Sequence, residues 1–159
     1  MNTVRLEDCP FVPWRNGGGR TRELLAWPTQ EDWNVRVSVA EIEADGPFSQ
    51  LPGIDRCFAV LAGAGVVLAL PDGQALLTPY DDALAFAGEA APMCRLIAGP
   101  TRDLNLMVRR GPGTVPTARM RRAPLPGRWR GVYADGTLWW SDDPREPLPQ
   151  PAHAWHLSA

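Results

Sequence analysis

Trp33-Asn34-Val35-Arg36-Val37-Ser38-Val39-Ala40 alternates between two faces without a break. Trp33, Val35, Val37 and Val39 fall on one side of an extended chain, and Asn34, Arg36, Ser38 and Ala40 on the other. This is the period-2 pattern of a half-buried strand. Short apolar segments then recur at spacings near ten residues: Phe58–Leu61, Val66–Leu70, Gln74–Leu77, Ala83–Phe86, Met93–Ile97 and Leu104–Val108. Between them stand turn signals with a mechanism, such as Pro71-Asp72-Gly73, where Pro presets φ and Gly accepts a positive one. Arg128–Ala134 and Thr137–Ser141 read as a hairpin turned at Ala134-Asp135-Gly136, and His153–Leu157 as a closing edge strand. No window between the breakers carries convincing helical periodicity. The expectation is an all-β protein, an antiparallel sandwich or barrel.

Composition agrees. The 17 Pro and 15 Gly among 159 residues suit short strands joined by many turns and do not suit a helical bundle. A chain of this length is one ordinary domain and buries roughly two thirds of its unfolded surface, enough to fold unaided. After Arg110 the texture changes, and residues 111–128 read as a loop-rich crossing. The N-terminus lacks the apolar core of a signal peptide, and the apolar run Cys57–Leu70 is broken by Gly63 and Gly65. Cys9, Cys57 and Cys94 are odd in number and far apart. The expectation is a cytoplasmic protein with reduced thiols and no membrane contact.

Several chemistries fall away. All 16 basic residues are Arg, so Schiff-base, P-loop-lysine and lysine-nucleophile mechanisms have no residue to use. The only histidines, His153 and His156, are three apart, which places them on opposite faces of a strand, so no metal cofactor is expected. Seven Arg and no acid lie between Asp103 and Asp135, with Trp129 among them, but the net charge of −2 argues against a nucleic-acid partner. The pairs Asp81-Asp82 and Asp142-Asp143 suit turns better than acid–base work, and Cys57 and Cys94 lie in apolar strands as inert thiols. Asn16-Gly17-Gly18-Gly19-Arg20-Thr21 lacks the lysine and spacing of a phosphate loop.

Longer phrases are more specific. Pro13-Trp14-Arg15-Asn16-Gly17-Gly18-Gly19 with Thr21-Arg22-Glu23, then Trp33–Ser38, Asp45-Gly46-Pro47-Phe48-Ser49 and Leu51-Pro52-Gly53-Ile54-Asp55-Arg56 occur in order. They are followed by Leu61-Ala62-Gly63-Ala64-Gly65, Phe86-Ala87-Gly88-Glu89 and Gly99–Met107. Together they resemble the HutD/Ves family over residues 10 to 111. The resemblance implies a cupin-like antiparallel β-barrel in a two-barrel, bicupin-type arrangement without the metal ligands of catalytic cupins. It also implies a link to histidine utilisation and stress responses. Two departures stand out. Arg15 replaces the usual Lys, and the 48 residues after Gly111 match weakly. The expected organisation is a barrel over residues 1–111 and a shortened second β lobe over 112–159, with an uncovered edge that favours a homodimer.

What the resemblance implies for the site is a small carboxylate ligand. Arg15 or Arg56 would hold the carboxylate through a fork of N–H donors, Asn16 or Asn105 would read an amide or imine, and Trp14 would supply an apolar wall. The structural alternative is that Asn16 and Gly17–Gly19 only shape a loop and that Arg56 only pairs with Asp55 or Glu41. Two functions remain open. One is a non-enzymatic metabolite-binding or regulatory protein; the other is a metal-independent isomerase or hydrolase acting on a small acid. The absence of Lys and of an inward His favours the first.

Overall fold

The computed structural model describes residues 1–111, 117–120 and 126–159. The loop-rich reading of residues 111–128 therefore falls in part outside the described residues, as do Arg121 and Arg122 of the arginine run, and it needs correction at Thr117–Met120, which is a strand. The strands up to the midpoint are β1 (Asn2–Arg5), β2 (Phe11–Pro13), β3 (Gly19–Pro28), β4 (Trp33–Ile42), β5 (Gly46–Pro47), β6 (Ile54–Ala62), β7 (Val66–Leu70) and β8 (Gly73–Leu77). Those after it are β9 (Leu84–Ala87), β10 (Met93–Leu96), β11 (Thr101–Arg109), β12 (Thr117–Met120), β13 (Arg130–Ala134), β14 (Thr137–Ser141) and β15 (Trp155–Ser158). Among the described residues the only helical elements are two short 3-10 turns, Leu6–Asp8 and Gly88–Ala90, so no helix there is long and apolar enough to cross a membrane.

Three antiparallel sheets form: β2-β3-β4-β11-β6-β9, β5-β10-β7-β8 and β1-β14-β13-β15-β12. The six-stranded sheet lies between the other two, and side-chain parity assigns its faces. Val35, Val37 and Val39 of β4, Cys57 and Ala59 of β6, and Leu104, Leu106 and Val108 of β11 point one way. They pack against Tyr133, Leu138, Trp155 and Leu157 of the five-stranded sheet and against Trp129, which immediately precedes it. Each fully buried aliphatic side chain of this kind stabilises the fold by about 1.5–3 kcal/mol. The alternate residues face the four-stranded sheet, where Ile42, Phe58 and Val60 meet Val66, Leu68, Leu77 and Cys94.

This is a cupin-like architecture, but an open one: the six- and four-stranded sheets share no ladder and face each other as a sandwich. The chain crosses between them at Gly63 and Gly65, with φ of 100° and 118°. A Cβ on Gly65 would sit 2.3 Å from the Leu77 carbonyl oxygen, so this crossing admits no side chain.

The expected hairpin is present. Asp135 and Gly136 both have positive φ, 47° and 74°, as a two-residue type I′ turn requires. The closing strand needs correction: β15 starts at Trp155 and is interior, paired with β13 on one side and β12 on the other. It is Trp155 and Leu157, both buried, that draw it into the middle of the sheet. Sequence reading also missed β1, β2 and β3. β1 supplies the edge of the five-stranded sheet, bonded to β14 more than 130 residues away in the chain, and nothing local signals such a pairing.

Candidate functional site

Past the exposed Asn34, the polar side of the β4 alternation is not solvent-facing. Ser38 is 5% and Ala40 3% exposed, because this face forms one wall of a cavity of about 830 Å³ between the six-stranded sheet and the segment Pro47–Leu51. That volume is in the range of small-molecule sites. Register explains which side chains meet there. Met107 of β11 is opposite Arg36 of β4 on one side and Arg56 of β6 on the other. One row down, Asn105 pairs with Ser38 and with Phe58, and Ser38 pairs with Glu23 of β3.

All five residues singled out from the sequence, Trp14, Arg15, Asn16, Arg56 and Asn105, line this one cavity. They do different things. Arg56 is only 6% exposed, and its guanidinium lies 5.0 Å from the Phe48 ring centre and 5.3 Å from that of Phe86. Its Nη2 donates to Asn105 Oδ1 at 2.9 Å, while the buried Nε has no partner among the described residues. The structural alternative of a pairing with Asp55 or Glu41 does not occur. Asp55 accepts from Arg110 at 2.8 Å, and Glu41 is bonded to Arg20 at 2.7 Å and to Arg102 at 3.2 Å. Burial without a counter-charge pulls the Arg56 pKa down to about 10.

Asn105 complements this arginine. Its carbonyl oxygen is occupied by Arg56, which leaves its amide N–H groups as the free end. Trp14 Nε1 donates to Thr21 Oγ1 at 2.8 Å, so the indole is fixed as a wall. Gly19 makes this possible, because a Cβ there would lie 3.1 Å from the Trp14 ring and 2.5 Å from the Glu41 carbonyl oxygen. Arg15 is exposed at the mouth. Asn16 is a loop former: its Oδ1 accepts from the Gly18 N–H at 2.8 Å, closing the turn that carries Gly17 at φ 74°.

The second wall is held from outside. Arg110 grips Glu89 through two bonds of 2.7 and 3.0 Å, and Glu89 Oε2 accepts from the Gly53 N–H at 3.1 Å. The Leu51 N–H donates to the Gly88 carbonyl at 2.9 Å, so the segment that presents Phe48 to Arg56 is anchored at its far end. Arg110 and the Gly53 amide hold the Glu89 carboxyl down at about 2.

Below the cavity, Asp103 is fully buried. Thr101 Oγ1 donates to its Oδ2 at 2.9 Å, and Oδ1 has no partner among the described residues. Desolvation pushes this carboxyl up to about 7. Burial, with the Asp103 and Asp45 carboxylates, pushes the Cys94 thiol up to about 12, which leaves it unreactive.

Sequence reading missed Glu23, Arg36, Ser38, Met107 and Phe86. Arg36 and Ser38 were in view, interleaved with the valines of β4, and signalled a polar interior once both faces of that strand were known to be covered. Among the described residues, no group of three or more His, Cys, Asp or Glu could hold a metal ion.

A family model described as HutD matches residues 6–140. The chain belongs to the HutD family. An uncharacterised 21.2 kDa protein of Pseudomonas putida, from the region 3′ of hutC, is 40% identical over 111 residues, or 67% of this chain and 57% of that protein. This chain thus spans little more than half of that relative. Protein Ves of Cronobacter sakazakii is 33% identical over 146 residues, covering 90% of this chain and 81% of its own. The HutD structure from Pseudomonas fluorescens SBW25 superposes with a TM-score of 0.77 at 27% identity, over 99% of this chain and 92% of that one. Outside the family, ectoine synthase from P. lautus shares the cupin-like fold, with a TM-score of 0.56 at 15% identity over 69% of this chain and 78% of its own.

Proposed function

We propose that this HutD-family protein is a receptor for a small organic monocarboxylate, seated against Arg56 and Asn105 with Trp14 as an apolar wall, and that it acts by binding rather than by turnover. The observation that carries this reading is the buried, unbalanced guanidinium of Arg56. A cation kept out of water without an anion costs free energy that a bound anion returns. A guanidinium and an amide N–H on one wall of the same cavity are donors suited to a planar carboxylate.

Binding is favoured over catalysis by the remaining wall. Glu23 is the only carboxylate among the described residues that line the cavity. Burial raises its pKa, but hydrogen bonds from Arg36 and Gln30 and the Arg36 charge outweigh that and hold it below the ordinary value, which makes it a weak proton acceptor at neutral pH. The hutC-region name of the P. putida relative makes acids of histidine breakdown the first compounds to try.

Isothermal titration of the full chain and of Arg56→Gln against a panel of small carboxylates tests the reading. At least one acid is expected to bind, with Arg56→Gln weakening it about 10–150-fold, the range of a lost charge-assisted contact. Absence of binding by every acid at millimolar concentration, or equal binding by Arg56→Gln, would refute it.

A further inference from the structure

We propose that Glu23 and Arg36 form a second recognition point in this cavity, one that selects acids whose far end is a neutral group able both to donate and to accept hydrogen bonds, such as a carboxamide, and that turns away a second carboxylate. The inference rests on the carboxylate-receptor reading and adds the chemistry of the other end of the molecule.

Placement comes first. β3 carries a bulge between Glu23 and Leu25. There Leu24 turns into the apolar layer, 5% exposed, while Glu23 turns into the cavity. The bulge puts Leu24 and Leu25 together on the apolar side, while Glu23 keeps the cavity side. Arg36 lies in the same row as Met107 and Arg56. With strands about 4.8 Å apart, the two arginine backbones are about 10 Å apart across the sheet, with Met107 as an apolar bridge between them. A short chain held at one end by Arg56 therefore passes over Met107 and Ser38 and ends at the Glu23–Arg36 pair.

Bonding capacity comes second. Arg36 Nε donates to Glu23 Oε1 at 2.6 Å, and Gln30 Nε2 donates to Glu23 Oε2 at 2.9 Å. A carboxylate offers about four lone-pair sites, so Glu23 can accept again. The Nη amino groups of Arg36 have no partner among the described residues, and its guanidinium is steadied 5.2 Å from the Trp33 ring centre. The pair thus presents an acceptor beside a donor. A primary amide, with its N–H donors beside its C=O acceptor, is the complement.

Charge comes third. Arg36 is already balanced by Glu23, so the pair adds no net attraction for an anion. A second carboxylate would meet the Glu23 charge directly, which is selection by repulsion as well as by fit. Glu23 and Arg36 keep 27% and 35% of their side chains exposed, so the pair is reachable from the cavity and still partly desolvated.

The test is a matched series measured by isothermal titration on the full chain: butyrate, succinate and succinamate, then valerate, glutarate and glutaramate. At one or both lengths the amide acid is expected to bind about tenfold tighter than the plain monoacid and tighter than the diacid. Glu23→Gln removes the repelling charge, and the diacid is then expected to gain on the amide acid. If the plain acid, diacid and amide acid bind within twofold of one another and all depend on Arg56, this inference fails while the receptor reading stands. A diacid that wins in the unmodified protein also overturns it. If none of the six binds but another small acid does so through Arg56, the second point is refuted and the receptor is not. The wild-type ranking decides the matter even if Glu23→Gln folds poorly.

Discussion

Arg56→Met separates a ligand-holding arginine from a scaffold one, because the two make opposite predictions for the free protein. Holding the guanidinium in the fold draws its pKa well below the ordinary value, to about 10. At 1.36 kcal/mol for each pKa unit, the cation costs the ligand-free fold about 3 kcal/mol. The arginine is charged in both folded and unfolded chains below about pH 10, so this cost is constant through the neutral range. Against it stand two aromatic faces, each contributing about 0.5–2 kcal/mol, and the bond to Asn105, about 1.5 kcal/mol. These terms nearly cancel. Methionine keeps the aliphatic volume and places sulfur between Phe48 and Phe86, a favourable contact. The ligand-free variant is therefore expected to melt within about 4 °C of wild type, the equivalent of about 1 kcal/mol for a chain of this size. It is also expected to lose any thermal stabilisation by carboxylates. Differential scanning calorimetry with and without acid checks both. Had Arg56 been a buried ion-pair member, its removal would cost about 3–5 kcal/mol. A drop of more than about 8 °C in the ligand-free protein would refute the reasoning.

Two further outcomes follow from the geometry. The Asp103 carboxyl is raised from 3.8 to about 7, so the native state holds its proton more tightly than the unfolded chain. The stability it supports is complete below about pH 4 and is lost as pH rises toward 7. Wild type is expected to lose up to about 3 kcal/mol between about pH 5 and pH 8 through this group, and denaturant titrations of Asp103→Asn should show that slope flattened. An unchanged slope would mean that Asp103 is ionised at low pH after all. Gly19→Ala places a methyl against the Glu41 carbonyl and the Trp14 ring, so it is expected to cost about 1–3 kcal/mol and to weaken carboxylate binding by displacing the indole wall. A variant that melts and binds like wild type would show that Trp14 has room to move.

How much was legible in the sequence follows from where each strand finds its partners. β4 was plain, since Val35, Val37 and Val39 repeat with the period of a strand and face a single apolar layer. β3 was not. Arg20 and Arg22 stack on Phe11 from one side, Thr21 and Glu23 line the cavity, and a bulge interrupts the count. Over Arg20–Glu23 the strand is polar on both faces and carries no hydrophobic period to read. The site shows a similar divide. Arg56 and Asn105 enter through the resemblance to the HutD/Ves family rather than through a pattern of their own, and they do meet. Glu23 and Arg36 lie within phrases of the same resemblance, but their pairing depends on the β3–β4 register, which the bulge shifts. Asn16, though on the cavity wall, spends its carbonyl on the Gly18 amide and so reports loop geometry as much as recognition.

Both faces of the central sheet are occupied, and along the middle of β4 the labour is divided: Val35, Val37 and Val39 hold the apolar layer, while Arg36, Ser38, Ala40 and Ile42 line the cavity. The two sets of residues can therefore drift separately. On the receptor reading, replacing Arg36 or Ser38 is expected to change what the cavity accepts with little effect on the valines behind them, so recognition would be open to change by point substitution. Insertions and deletions are another matter. One residue added within β4 would exchange the two sets over the rest of the strand, driving polar side chains into the layer with Leu104 and Leu106 and valines into the cavity. New specificities should thus arise by replacement at fixed strand length, and length variation should collect in the turns.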